Sequence, residues 1–236
     1  MIVLVKENIA EVRQRIAAAC RRAGRNAEDV QLMAVSKTFS SERIREAYQA
    51  GLRIFGESRV QEFAAKIDGL RDLDGAEWHM IGHLQSNKAA RAAELFAGVD
   101  SVDSLRLAEK LNSEAGRLEK NLSVLIEINV GGESAKSGAA QDSEELDEIL
   151  RAAASWPHLQ IQGLMTVPPF TEDPEGARPF FQALRRLRDQ IASRRLPRVG
   201  TQVLSMGMSH DFEIAIEEGA TCLRVGTAIF GEREKN

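Results

Sequence analysis

The chain has 236 residues, of which 43% are hydrophobic and 28% charged, and its formal net charge is -4. This length suits one α/β barrel, and no linker-like or charge-rich stretch divides the chain, so we expect a single domain over residues 1–236. An acidic balance with scattered Lys and Arg argues against a nucleic-acid partner. The N-terminal apolar stretch, MIVLV, is too short for a signal peptide, and no stretch approaches the ~20 apolar residues of a membrane span. A cytoplasmic protein is therefore expected.

Apolar stretches alternate with amphipathic stretches along the chain, which is typical of βα units. A leading helix is predicted at residues 9–23. Strands are predicted at residues 30–36, 52–56, 78–82, 98–104, 123–130, 161–167, 202–207 and 222–230. Helices, several with a capping side chain, are predicted to begin near Ser41, Ser58, Asn87, Ser104, Ser143, Pro174 and Ser209.

An eight-fold βα alternation in a chain of this length favours a (β/α)₈ barrel of the TIM type, with the leading helix as an addition to the outer ring. A doubly wound open sheet is the alternative. Its nucleotide-binding form is disfavoured because the chain contains neither a G-x-G-x-x-G nor a G-x-x-x-x-G-K-[ST] motif. In a barrel, the functional residues are expected at the carboxyl-terminal ends of the strands.

A lysine ends the first predicted strand, in the stretch VQLMAVSKT. An ammonium group is costly to remove from water, so Lys37 needs either solvent or a partner. Its long side chain allows a simple solvated position, and this reading stays open. In a barrel, however, Lys37 lies at the end where ligands bind.

Small residues lie toward the ends of the last two predicted strands. They are Ser205 and Gly207 in the seventh strand, Ser209 just after it, and Gly226 and Thr227 in the eighth. Small side chains let backbone N–H groups approach an anion, and this part of a barrel often holds phosphate. The glycines also suit tight turns without any ligand.

Other candidate residues have simpler interpretations. His79 and His83 are spaced like metal ligands but flank the end of a strand, and no third ligand joins them, so no metal site is predicted. Cys20 and Cys222 lack the spacing of a metal site or a disulfide framework and are expected to be small buried residues. Tyr48, the single tyrosine, is expected to pack against the barrel.

A lysine beside a phosphate site suggests a phosphorylated carbonyl compound as the ligand. Lysine forms Schiff bases with aldehydes, and pyridoxal 5'-phosphate (PLP) carries both an aldehyde and a phosphate. Arg224, in the eighth predicted strand, can only donate hydrogen bonds, so beside the pyridine nitrogen it leaves that nitrogen unprotonated. An outward Arg224 in a salt bridge with a helix is the alternative.

Seven stretches, in order and at matching spacing, resemble the pyridoxal phosphate homeostasis proteins, which are similar to the isolated barrel domain of alanine racemase and have PLP fold type III. They are AVSKT, FGESRVQE, WHMIGHLQSNK, EINVGGESAKSG, GLMTV, LSMGMSHDFEIAI and LRVGTAIFG. The resemblance implies that Lys37 carries PLP as an aldimine and that Arg224 faces the ring nitrogen. It also implies a phosphate site formed by Ser205, Gly207, Ser209, Gly226 and Thr227.

The chain departs from the family in the second motif, where Ser58 and Arg59 stand in place of a common Asn-Tyr pair. Ser58 is shorter than Asn, so its contact with the cofactor is expected to need a bridging water.

The family resemblance implies a PLP carrier or regulator in intracellular vitamin B6 homeostasis, without catalytic turnover, whose recipients are PLP-dependent apoenzymes. We expect a monomer. The alternative is a PLP-dependent amino-acid racemase or decarboxylase, but the racemase scheme takes a second catalytic tyrosine from a domain that this chain lacks. A cofactor-free Schiff-base aldolase is a third possibility, and a phosphate site together with Arg224 suits it less well than PLP.

Overall fold

A closed barrel of eight parallel strands forms the centre of the molecule in the computed structural model, which describes residues 4–132 and 137–232. Its strands are β1 (Gln31–Val35), β2 (Ile54–Glu57), β3 (Glu77–Met80), β4 (Gly98–Val102), β5 (Leu122–Asn129), β7 (Leu159–Met165), β8 (Val199–Ser205) and β9 (Cys222–Val225). A short strand, β6 (Ala139–Ala140), pairs only with β5. The pairing of β9 with β1 closes the ring. The predicted (β/α)₈ barrel is confirmed.

Helices surround the barrel. They are α1 (Val5–Arg22), α2 (Ser41–Gln49), α3 (Val60–Lys66), α4 (Ala89–Leu95), α5 (Leu105–Arg117), α6 (Glu144–Ala152), α7 (Arg178–Ser193), α8 (Phe212–Glu217) and α9 (Thr227–Phe230). The predicted caps at Ser104 and Ser143 are confirmed, because their hydroxyls accept hydrogen bonds from the N–H groups of Leu107 and Leu146. None of the helices in the described ranges combines the length and apolar character needed to cross a membrane.

The leading helix α1 lies where the first and last βα units of the barrel meet. It packs against α2, α8 and α9, and its buried face includes Ile9 and Val12. The Asn8 side chain donates to the carbonyl of Ile229 at 2.9 Å, and Arg15 pairs with Glu213 at 2.7 Å. The extra N-terminal helix is thus confirmed in the outer ring, and it supports the closing strands β1 and β9.

Several predicted boundaries were wrong. The eighth strand was predicted to continue to residue 230, but β9 ends at Val225, and the apolar stretch after Gly226 forms α9. The helix predicted to begin near Ser209 begins at Phe212, and the one predicted near Ser58 begins at Val60. The short strand β6 was not predicted. Hydrophobicity alone does not separate a strand from a short buried helix, which explains the error at β9.

The core lies both inside the barrel and between the barrel and its helices. Phe63 stacks near Trp78 and Phe96, with ring centroids 4.9 Å apart in both pairs. Cys20 and Cys222 are both buried free thiols, as predicted. Tyr48 packs against the core, and its hydroxyl donates to the Asp74 carbonyl at 2.8 Å. The predicted packing role of Tyr48 is confirmed.

Strand β7 depends on a glycine where its register shifts against β8. Gly163 pairs with Leu125 on one side and Val203 on the other, and an added Cβ would overlap the Val203 carbonyl. We expect Gly163→Ala to lower the free energy of unfolding by at least about 2 kcal/mol, because backbone on two strands must shift.

Urea denaturation followed by circular dichroism measures this change. The matched control is Gly69→Ala, whose added Cβ would lie 3.5 Å from the Ser41 hydroxyl, an ordinary contact distance. It should change stability by less than about 0.5 kcal/mol. Equal midpoints for the two variants would contradict the role assigned to Gly163.

Candidate functional site

The carboxyl-terminal ends of β1 and β9 lie side by side and bring Lys37 near the turn after β9. The register pairs Met33 with Arg224 and Ala34 with Val225. A Cβ added to Gly226 would lie 3.4 Å from the Val35 Cβ, so the two chain segments touch beyond the last paired residues. Lys37 is half-buried at this mouth of the barrel.

Two backbone N–H groups at the start of α9 converge on one oxygen atom. Gly226 and Ala228 donate to the Ser209 hydroxyl at 3.3 and 3.2 Å. Thr227 lies between them as the first residue of α9. Adjacent N–H groups directed at a single oxygen form the kind of concavity that binds an anion. Of the five residues predicted to hold phosphate, Ser209, Gly226 and Thr227 therefore lie together.

Gly207 shapes the loop that carries Ser209. Its φ is +92°, and an added Cβ would lie 2.6 Å from the Ala215 Cβ. Glycine is therefore required here both by backbone conformation and by close packing against α8. The N–H of Met208 donates to Asp211 at 2.6 Å and fixes the loop. Burial raises the pKa of Asp211, and this N–H opposes that rise.

Arg224 points into the barrel. It is 4% exposed, its Nη1 donates to the Ser205 hydroxyl at 2.7 Å, and its Nη2 donates to the Thr166 carbonyl at 2.6 Å. Burial lowers the pKa of Arg224, while nearby carboxyl groups, among them Asp100 and Asp211, act in the opposite direction. The outward salt bridge with a helix, the alternative interpretation, is therefore wrong.

Ser205 contacts Arg224, and its predicted contact with a phosphate stays a prediction. It is fully buried, and its hydroxyl accepts from Arg224, whereas Ser209 meets the N–H groups of α9. The structure thus separates the two serines, with one orienting the guanidinium and the other at the N–H pair.

Glu127 was missed by the sequence analysis. It is 5% exposed, Oε1 accepts from the Ser137 hydroxyl at 2.9 Å, and Oε2 has no hydrogen-bond partner in the described structure. Burial raises its pKa, and the Ser137 hydrogen bond and the Arg224 charge oppose that rise. The signal in the sequence was a single carboxyl in the apolar stretch SVLIEINV, because burial of a carboxyl group is costly unless the group has a partner.

The two histidines are directed at different carboxylates. His79 Nδ1 lies 2.8 Å from Asp100, in a cavity of about 160 Å³ inside the barrel, and His83 Nδ1 lies 3.0 Å from Asp103. Across residues 4–132 and 137–232, no group of three or more His, Cys, Asp and Glu side chains is arranged to hold a metal ion.

Ser58 lies where β2 and β3 end. An added Cβ on Gly82 would lie 2.9 Å from the Ser58 Cα, so the loops after these strands touch, and the neighbouring Arg59 is exposed. The contact of Ser58 with a cofactor stays a prediction. Residues 133–136 of the motif EINVGGESAKSG lie outside the described residues.

Comparison with known proteins agrees with this arrangement. The family model for the alanine racemase N-terminal domain matches residues 8–234. The pyridoxal phosphate homeostasis protein of Aquifex aeolicus is 46% identical over 228 residues, which are 97% of this chain and 98% of that protein. The Escherichia coli protein of the same name is 43% identical over 234 residues, 98% of this chain and 97% of its own. This chain belongs to the pyridoxal phosphate homeostasis protein family.

Solved structures agree with membership of the pyridoxal phosphate homeostasis protein family. PipY of Synechococcus elongatus, solved with PLP bound, is 36% identical, with a TM-score of 0.84 over 96% of this chain and 100% of that one. An alanine racemase of Clostridium difficile is 15% identical, with a TM-score of 0.74 over 99% of this chain and 58% of that one. The second likeness concerns the fold alone, and it lies in the barrel.

Proposed function

We propose that this protein binds PLP at the mouth of the barrel as a Schiff base (aldimine) with Lys37, and acts as a carrier or regulator in PLP homeostasis. The observation that carries the proposal is the likeness to PipY with PLP bound, which extends over nearly the whole of both chains. The relatives named pyridoxal phosphate homeostasis proteins cover this chain to a similar extent.

The residues at the mouth fit PLP. Lys37 supplies an amine for the aldehyde, and the N–H groups of Gly226 and Ala228 supply donors for the phosphate, in place of the bond they now make to Ser209. Bound PLP supplies an electron sink. Arg224, which Ser205 orients, can only donate a hydrogen bond to the ring nitrogen. It has no acceptor for a proton on that nitrogen, so it favours the unprotonated ring. The site therefore suits retention of PLP better than carbanion chemistry.

A carrier role is also favoured by the position of Tyr48, the single tyrosine of the chain. Racemisation needs acid–base groups on both faces of a carbanion. Tyr48 lies on the second helix, away from the mouth, and its hydroxyl donates to the Asp74 carbonyl. A racemase or decarboxylase stays the second candidate because the His83–Asp103 pair offers a titratable group after β3.

Three further statements stay predictions from the sequence: a cytoplasmic location, a monomeric state, and PLP-dependent apoenzymes as the recipients of the cofactor.

The first prediction concerns the covalent bond. The Lys37 amine condenses with the PLP aldehyde with loss of water, and borohydride reduces the C=N bond to a stable secondary amine. Peptide mass spectrometry should place the adduct on Lys37. Lys37→Ala should abolish it with little change in stability, because the side chain lies at the mouth rather than in the core.

Lys88→Ala is the control, and its Lys37 adduct should match that of the wild type. Location of the adduct on Lys66, Lys88 or Lys136 in the wild-type protein would refute the assignment.

The second prediction concerns the phosphate. In Ser209→Asp, a carboxylate would accept hydrogen bonds from the N–H groups of Gly226 and Ala228 and would repel a phosphate dianion. Titrations should show affinity for PLP falling at least about tenfold more than affinity for pyridoxal, which lacks the phosphate. The uncharged variant Ser209→Asn controls for size. Equal losses for both ligands in Ser209→Asp would place the phosphate elsewhere.

The third prediction concerns turnover. We expect the PLP-loaded protein to exchange the α-proton of L-alanine, L-serine or L-lysine in heavy water no faster than free PLP does, as measured by NMR. Free PLP and PLP with the Lys37→Ala variant are the controls. Exchange approaching ~1 s⁻¹, the lower end of ordinary enzyme turnover, would favour the racemase or decarboxylase instead.

A further inference from the structure

The turn that carries Lys37 has a strained backbone. Thr38, the next residue, has φ = +70°. Of the four non-glycine residues with positive φ in the described ranges, Thr38 alone is β-branched. A β-branched residue in the left-handed region is a true outlier, and such strain persists only where the surroundings enforce it. Some group near the turn must therefore hold it.

Charged side chains on the outer side of the turn provide that restraint. The N–H of Thr38 donates to Glu62 Oε1 at 2.6 Å. Lys66 Nζ donates to the carbonyls of Ser36 and Phe39, at 3.3 and 3.4 Å, so one ammonium holds both ends of the turn. These contacts are made by the Thr38 N–H and by the carbonyls of Ser36 and Phe39, so they hold the backbone of the turn.

Glu57 links this restraint to the barrel. Its Oε1 accepts from the Ser36 hydroxyl at 2.6 Å and from Lys66 Nζ at 3.0 Å, and Lys66 also contacts Glu62 at 3.1 Å. Ser36 follows β1 and Glu57 ends β2, and both contact Lys66 of α3. This network therefore lies on the side of the turn that faces α3.

These charges are expensive to bury. The Glu57 side chain is fully buried, with Oε2 unpaired in the described structure, and the Lys66 side chain is 11% exposed. Burial raises the pKa of Glu57. Burial also acts to raise the pKa of Glu62, but the Thr38 N–H and Lys66 outweigh it and leave that pKa below its ordinary value. Buried ion pairs add little net stability compared with apolar packing, so a positioning role accounts for their presence better than a stabilising one.

We propose that Glu57, Glu62 and Lys66 form a positioning clamp, which holds Thr38 in its left-handed conformation and thereby directs the Lys37 amine into the mouth of the barrel. The proposal rests on the proposed function of Lys37. Without the clamp, the turn relaxes to negative φ and the Lys37 side chain leaves the direction set by β1. The three clamp residues act on Lys37 through the backbone and do not touch the ligand.

A rescue experiment separates positioning from stability. Glu62→Ala removes the acceptor for the Thr38 N–H, and the rate of borohydride-trapped PLP adduct formation at Lys37 should fall on the order of tenfold, the factor expected for one charge-assisted hydrogen bond. Glycine adopts φ = +70° without strain. Thr38→Gly added to Glu62→Ala should therefore restore most of the rate, whereas Thr38→Ala added to Glu62→Ala should not.

Two matched variants complete the set. Glu62→Gln keeps an oxygen for the Thr38 N–H without the charge, and it should lose less of the rate than Glu62→Ala. Glu94→Ala removes a carboxylate that pairs with Arg91 and Arg117 on the surface, and it should change nothing. All rates are compared at a temperature where circular dichroism shows each variant folded. If Glu62→Ala loses stability but keeps its adduct rate, or if Thr38→Ala rescues as well as Thr38→Gly, the proposal is wrong.

A second readout does not need PLP. Reductive methylation with formaldehyde and cyanoborohydride, quantified at Lys37 by peptide mass spectrometry, reports the accessibility and reactivity of its amine in the apoprotein. Glu62→Ala should change the labelling of Lys37 relative to Lys88, and Thr38→Gly should reverse that change. If wild-type protein forms no PLP adduct at Lys37, the proposed function fails while this labelling still tests the clamp. Unchanged labelling in Glu62→Ala would refute the clamp by itself.

Discussion

The pairing of β1 with β9 is the contact on which the candidate site depends. Gln31 to Ala34 lie in parallel register with Cys222 to Val225, although the two strands come from opposite ends of the chain. Only this register brings the turn that carries Lys37 beside the N–H groups that follow β9. The helix α1 strengthens the closure, since Asn8 bonds to Ile229 beyond the site. A fault in barrel closure would therefore separate the two halves of the site even if each strand formed correctly.

Closure also creates a buried interior in which charged groups need partners. Arg224 has a hydroxyl and a carbonyl from two neighbouring strands, through Ser205 and Thr166, and these contacts fix the direction of its guanidinium. An unpaired ion there would cost several kcal/mol, so Ser205 is constrained by Arg224 as strongly as by any ligand. Glu127 avoids a comparable cost in another way, because burial raises its pKa and favours the neutral form.

Sequence alone predicted the eight strands well, because parallel strands that are buried on both faces form continuous apolar stretches. It also placed Lys37 and Ser209 just after strand ends and Arg224 within the eighth strand. It could not separate the role of Ser205, the last residue of β8, from that of Ser209 in the loop that follows, because only the position of Arg224 on the next strand decides which serine meets which partner.

The end of β9 and the positioning clamp were missed for different reasons. An apolar stretch after Gly226 has the same hydrophobicity whether it continues a strand or turns into α9, and the turn is decided by packing against α1. Glu62 and Lys66 are four residues apart in α3, a spacing that is ordinary for exposed ion pairs on helices. Their contacts with residues 36–39 depend on how α3 packs behind β1, and no local pattern contains that information.

Lys37 and the N–H pair of Gly226 and Ala228 follow two neighbouring strands, so a ligand that binds both groups is held in a fixed geometry. Paired strands lie ~4.8 Å apart, so the sheet itself sets how far the Lys37 turn stands from the N–H pair that follows β9. A lysine on a flexible loop would lose much of this precision through the entropy of its backbone and long side chain. The strain at Thr38 and the buried charges behind it reduce that freedom before any ligand arrives. Under the proposed function, a reversible covalent bond to a rigidly held Lys37 combines selective capture with release by hydrolysis, and a carrier of a reactive aldehyde requires this combination.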